Sequence, residues 1–70
     1  MLRKPVSSES IARVGYTAAT RTLEIEFHSG RVYQYVGVPL AVYEDLIQSE
    51  SVGRYFNAHV RPIYSFRLVS

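Results

Sequence analysis

The stretch Thr22-Leu-Glu-Ile-Glu-Phe-His-Ser-Gly-Arg-Val-Tyr-Gln-Tyr-Val36 decides how this chain folds. Leu23, Ile25 and Phe27 alternate with Glu24, Glu26 and His28. That is the period of a strand with one buried face. Ser29-Gly30 follows, and glycine reaches positive φ without steric cost. A second β-rich run, Arg31 to Val36, comes directly after, so the two runs read as a hairpin. Its register has two readings. If the turn is Ser29-Gly30 alone, Phe27 lies opposite Val32 and Ile25 opposite Gln34, and Tyr33 and Tyr35 join Glu24 and Glu26 on the polar face. If the turn is His28-Ser29-Gly30, a type I turn with a glycine bulge, Ile25 faces Tyr33 and Leu23 faces Tyr35. A slip of one residue moves every side chain to the other face. The three-residue turn is favoured because it keeps Gln34 in water and makes the tyrosines core-edge residues with wet hydroxyls.

Upstream of the hairpin, Ile11 to Tyr16 reads as a first strand, with Ala12, Val14 and Tyr16 on one side and Ile11, Arg13 and Gly15 on the other. Thr17 to Arg21 is long enough for an antiparallel connection, which gives a three-stranded meander from Ile11 to Val36. Residues 1–6 read as a loose lead-in. Downstream of Gly37-Val38-Pro39 the period changes. Leu40, Tyr43, Leu46 and Ile47 form one stripe of an amphipathic helix. Pro39 fits its first turn, where a missing N–H costs nothing. Ser49 or Ser51 can cap a second helix running from about Val52 to Val60, with Tyr55, Phe56, His59 and Val60 on one face. Gly53 weakens that helix by up to about 1 kcal/mol relative to alanine, so it is read as a point of close approach to the sheet or a ligand. Pro62 ends the helix, and Ile63 to Val69 alternates again as a fourth strand or an ordered tail. A one-layer sheet must cover its apolar face. The expected fold is therefore α+β: a three-stranded antiparallel meander covered by two short helices, with a C-terminal strand as an optional fourth, all in one domain over residues 1–70.

Composition narrows the function. Seventy residues without cysteine exclude disulfide staples and Cys/His zinc sites. A 47% hydrophobic fraction supplies a core and argues against disorder. No apolar run approaches the roughly 20 residues that span a bilayer, and Met-Leu-Arg-Lys-Pro has no signal-peptide core, so a cytoplasmic protein with no membrane partner is expected. The net charge of +2 is compatible with nucleic acid without requiring it.

The assembled residues resemble the KTSC domain, a short module named for its occurrence at the C-terminus of some lysyl-tRNA synthetases and also found as a single-domain bacterial protein. The resemblance rests on Ser7-Ser8 with Ile11 and Gly15-Tyr16, on Leu23 to Phe27 with Ser29-Gly30, and on Tyr33-Gln34-Tyr35, the family's central Tyr-x-Tyr. It continues through Val38-Pro39 with Tyr43, Gly53-Arg54-Tyr55-Phe56-Asn57, Val60-Arg61 and Tyr64. What the resemblance implies is RNA binding, by the company the module keeps. Aminoacylation does not carry over, because these residues contain no synthetase catalytic domain.

No constellation for catalysis is present. Glu24 and Glu26 share a strand face, but acid–base work needs two carboxylates in contrasting environments. Both read as solvated, with Arg13 or Arg21 as cross-strand partners. His28 falls in or beside the hairpin turn, and His59 on the apolar side of the second helix, where it reads as a hydrogen-bonded core residue. Two isolated histidines do not make a metal site. No nucleophile elbow or phosphate loop occurs, and no cofactor is expected. The expectation is a non-enzymatic binding module. Arg54, Arg61 and Arg67 would pair with phosphates, and Tyr33, Tyr35 or Tyr55 would stack on unpaired bases of single-stranded RNA or a tRNA loop. Asn57 either fixes a backbone turn or reads a base or peptide. The rival expectation is a protein-interaction adaptor, a regulator of the transcription or translation machinery, that docks through a sheet edge or the Tyr-x-Tyr face. Either a monomer or a weak homodimer through an edge strand fits.

Overall fold

The computed structural model describes residues 3–70. Its elements are β1 (Arg3–Pro5), β2 (Ile11–Thr17), β3 (Thr22–Phe27), β4 (Val32–Tyr35), α1 (Leu40–Gln48), α2 (Val52–His59) and β5 (Phe66–Leu68). The strands form one antiparallel sheet in the order β1-β2-β3-β4-β5. The α+β class and both helices are as expected. The sheet has two more strands than the three-stranded core of the expected meander, because Arg3–Pro5 pairs with β2 instead of forming a loose lead-in and the C-terminal run is a true strand.

The β3–β4 turn is the three-residue form. Phe27 N–H donates to the Arg31 carbonyl at 2.9 Å, and Gly30, at φ +96°, donates back to the Phe27 carbonyl. Ile25 therefore faces Tyr33 and Leu23 faces Tyr35. The resulting inner face carries Val14, Tyr16, Leu23, Ile25, Phe27, Tyr33 and Tyr35 toward the helices. Ile11 was expected on the opposite face from Val14, yet it is fully buried with it. An irregularity between Ile11 and Arg13 inserts one residue and restores Ile11 to the inner side.

Each helix is rotated slightly from its expected stripe. In α1 the inward residues are Val42, Tyr43 and Leu46, while Leu40 and Ile47 at its two ends face water. In α2 the buried column is Val52, Phe56 and, just past its end, Val60, spaced at i, i+4 and i+8. His59 is exposed rather than core: it is the last residue of α2, and its ring lies beside Tyr55 instead of reaching the sheet. Ser51 is the cap, accepting from Arg54 N–H at 3.3 Å. Gly53 does mark a close approach, but to the loop before β2: a Cβ there would lie 3.3 Å from Ser8 Oγ. Tyr16 ties the layers together by donating to the Val38 carbonyl at 2.6 Å and stacking on Tyr43 at 4.9 Å.

The outer sheet face is a polar ladder across all five strands. Arg3 bridges Glu24 at 3.0 Å and Glu26 at 3.3 Å, and Arg13 bridges Glu26 at 3.1 Å. Gln34 donates to Glu24 at 2.9 Å and accepts from Arg67 at 2.7 Å. Arg3 and Glu24 flank Gly15 in register, so their side chains meet over a position without one. The expected pairing of Glu26 with Arg13 is present. Glu24, however, is not solvated: only 7% of it is exposed, because Arg3 and Gln34 close over it. Losing a buried partner leaves the remaining polar groups unpaired, which costs about 1–3 kcal/mol. Glu24→Ala should lower unfolding stability by that amount in a urea titration, whereas Glu44→Ala, exposed on α1, should stay within about 0.5 kcal/mol.

Candidate functional site

The helices bury the inner face of β2, β3 and the nearer part of β4, but β5 continues the sheet beyond them. Phe66 on β5 is 56% exposed, while its register partner Tyr35 is 2% exposed. At this step the inner face opens into a groove of about 490 Å³, within the range usual for ligand sites. Its floor is aromatic. Phe56 from α2 packs edge-on against both Phe27 and Tyr35, Tyr33 packs edge-on against Phe27, and Phe66 lies tilted over Tyr33 and Tyr35 at 5.3 and 5.5 Å. The three-residue turn is what brings Tyr33 and Tyr35 to this floor.

The rim is polar, with three basic side chains among its six residues. His28, Ser29 and Arg31 come from the β3–β4 turn, Arg61 from the segment after α2, and Glu9 and Ser10 from the β1–β2 loop. Among the described residues, neither Arg31 nor Arg61 is in an ion pair. Arg61 N–H is held by the Phe56 carbonyl at 2.9 Å, which fixes the start of its side chain beside the floor. Burial pushes the Tyr35 hydroxyl above the ordinary tyrosine value of 10.0, Arg61 pulls it partly back, and Tyr33 adds a smaller upward push.

The seven residues expected to bind do not share one surface. Tyr33, Tyr35 and Arg61 meet in the aromatic groove. Arg54 and Asn57 line a separate, polar cleft with Ser7, Ser8, Glu50, Ser51 and Gly53. Tyr55 lies half-buried beside His59, with ring centroids 4.6 Å apart, and its hydroxyl is raised by burial and then by the Asp45 carboxylate. Arg67 is on the opposite face of the sheet, committed to Gln34. The residues that sequence reasoning missed are Arg31 and Phe27, along with His28 and Phe56 in their role as groove lining, whereas Phe66 was legible as an aromatic interleaved with the C-terminal arginines. The alternation in Ile63 to Val69 placed Phe66 in a strand; only the pairing of β5 with β4 brings it over the tyrosines. Among the described residues there is no group of three or more potential metal ligands, and no helix is long and apolar enough to cross a membrane.

A family model described as the KTSC domain matches residues 7–64, from the loop under Gly53 to the end of the helical segment. The chain belongs to the KTSC domain family. Its fold matches the crystal structure of a KTSC domain protein from Yersinia pestis with a TM-score of 0.95 at 35% identity, over 99% of this chain and 97% of that one. Among curated proteins, a protein of Tsukamurella paurometabola is 40% identical over 67 residues, covering 96% of this chain and 97% of the relative. An uncharacterised protein of Stutzerimonas stutzeri is 39% identical over 62 residues, covering 89% and 87%. A lysine–tRNA ligase of Nostoc punctiforme is 42% identical over 69 residues, so nearly the whole KTSC chain matches, but only 12% of the ligase.

The hydroxyl environment gives a direct check on the groove. The neutral form of Tyr35 is favoured in the folded state, so its contribution to stability is complete below pH 10.0 and falls as pH rises through the higher folded value. In an ultraviolet absorbance titration, Tyr35→Phe should remove a late-ionising tyrosine. Arg61→Ala should move that tyrosine to still higher pH, since the guanidinium opposes the rise.

Proposed function

We propose that this KTSC domain is a non-enzymatic cytoplasmic binding module for single-stranded RNA, including unpaired tRNA loops, and that the aromatic groove is where it binds. The observation that carries the reading is the exposed Phe66 ring over Tyr33, flanked by Arg31 and Arg61, which are in no ion pair among the described residues. Aromatic faces stack on any base, and guanidinium groups pair with the phosphates that flank it. Charge complementarity supports an anionic occupant, since the lining holds two arginines and a histidine against one carboxylate, Glu9. The match to a segment of proteins named lysine–tRNA ligase supports the same class of ligand. Within this reading Arg61 and Tyr33 keep the roles expected for them, whereas Tyr35, only 2% exposed, supports the floor from below and does not stack on a base. Arg31 and Phe66 replace Arg67 and Tyr55, and Arg54 and Asn57 act only on a strand long enough to reach the second cleft.

A second reading is favoured by one observation. β5 is an edge strand that presents Phe66, Leu68 and Val69 to solvent, each at least half exposed. An extended peptide could add to such an edge through main-chain hydrogen bonds, which would make the domain a protein adaptor.

Salt separates the two. Fluorescence anisotropy with a U-rich octamer should show affinity falling linearly with salt on a logarithmic scale, as counterion release requires. Arg31→Ala and Arg61→Ala should each weaken binding and reduce the slope by about 1. Phe66→Ala should cost about 1–3 kcal/mol through lost stacking, and Arg67→Ala should change little. Failure to bind at low salt, with salt-insensitive capture of a peptide by β5, would favour the adaptor.

A further inference from the structure

Glu9 is out of place in a groove for a polyanion. Glu9 lines the groove together with Arg31, Arg61 and His28 and stands on the ridge it shares with the polar cleft, and among the described residues it forms no ion pair or side-chain hydrogen bond. Nor is it a loosely hung loop residue. His28 clamps the chain on both sides of it: the His28 backbone N–H donates to the Ser10 carbonyl at 2.9 Å, and ring Nε2 contacts the Ser8 carbonyl at 3.0 Å. A carbonyl can only accept, so Nε2 carries the proton in this bond. The Ser8 hydroxyl closes the loop from inside by accepting from Ser10 and Ile11 N–H at 3.4 and 3.3 Å. The backbone on either side of Glu9 is thus fixed at the mouth of an aromatic floor, and the carboxylate it carries there repels phosphate and favours hydrogen-bond donors.

Among the bases, the Watson–Crick edge of guanine presents two adjacent donors, N1–H and the N2 amino group, spaced to meet the two oxygens of one carboxylate. Adenine and cytosine each present a single amino donor beside a ring acceptor, and uracil presents one N–H between two carbonyls. Bidentate pairing of this kind discriminates bases where single bonds do not. We propose that the groove is a guanine-selective pocket: the base stacks against Phe66 and Tyr33, its N1 and N2 donors bind the Glu9 carboxylate, and Arg31 and Arg61 take the adjoining phosphates. This rests on the reading of the groove as a single-stranded RNA site and names the nucleotide it selects.

The test is anisotropy of the full chain with four RNA octamers: all uridine, and uridine with a single central guanosine, adenosine or cytidine. The guanosine octamer should bind about tenfold more tightly than the others, the low end of what a bidentate base contact gives. Glu9→Gln offers one acceptor and one donor in place of two acceptors. It should bring the guanosine octamer level with the adenosine one while leaving affinity for oligouridine equal or higher, because a negative charge has left the phosphate path. Circular dichroism should show the Glu9→Gln fold unchanged. Equal affinity of the native protein for all four octamers, or a guanosine preference that survives Glu9→Gln, would overturn the inference and leave the RNA reading standing. Failure of every octamer to bind at low salt would remove the RNA reading and this inference together.

Discussion

The hydrogen bond from Phe27 N–H to the Arg31 carbonyl is the constraint on which the rest depends. It makes the β3–β4 turn three residues long, with Gly30 taking the positive φ that the bulge needs. Side chains alternate strictly along a strand, so this one bond decides which face receives Tyr33 and Tyr35. With them inward, Phe56 has aromatic edges to pack against, α2 is anchored, and Gln34 turns outward to Glu24. A turn one residue shorter would put both tyrosines among the glutamates and leave Gln34 facing the helices.

The same register divides the charges of the molecule. Eight lysines and arginines face six acids, a small excess that by itself says little. On the outer face Glu24 and Glu26 are consumed by Arg3 and Arg13, and Arg67 is held by Gln34. Ion pairs at a surface are worth only about 0–1 kcal/mol each, so the ladder's main stabilising member is the buried Glu24, whose partners would otherwise be stranded. On the inner side, at the edge of the helical cover, Arg31 and Arg61 are in no ion pair among the described residues. Two of the eight cations therefore stand where the aromatic floor is open, against the single carboxylate of Glu9.

The open floor follows from where the helical layer stops. Val52, Phe56 and Val60 seal against residues of β2 to β4, and the chain then uses Arg61 to Ser65 to return to the sheet edge as β5. Phe66 and Leu68 extend the inner face past that seal. An apolar sheet margin exposed in this way is unusual for a small domain unless something binds it. In KTSC relatives such as the Yersinia pestis protein the fold is the same, so this arrangement of layer and margin can be compared directly across the family.

The sequence by itself determined the α+β class, the hairpin, both helices and a close approach at Gly53, because each rests on a local rule: alternation, helical spacing or the absence of a Cβ; it left the cap of the second helix open between Ser49 and Ser51, and the structure uses Ser51. It also carried the family, through an ordered set of short motifs. It did not determine which arginines act together. Arg54, Arg61 and Arg67 are near one another in the chain, yet they point to a polar cleft, the aromatic groove and the outer face, since a helix, a turn and a strand aim successive side chains in unrelated directions. Arg31 and Glu9 come to line one groove with Arg61 only through the pairing of distant strands and the His28 clamp. The irregularity at Ala12, the burial of Glu24 and the exposure of His59 were likewise decided by tertiary packing. Local patterns specify which elements form, whereas long-range register and the limit of the helical cover decide which side chains share water.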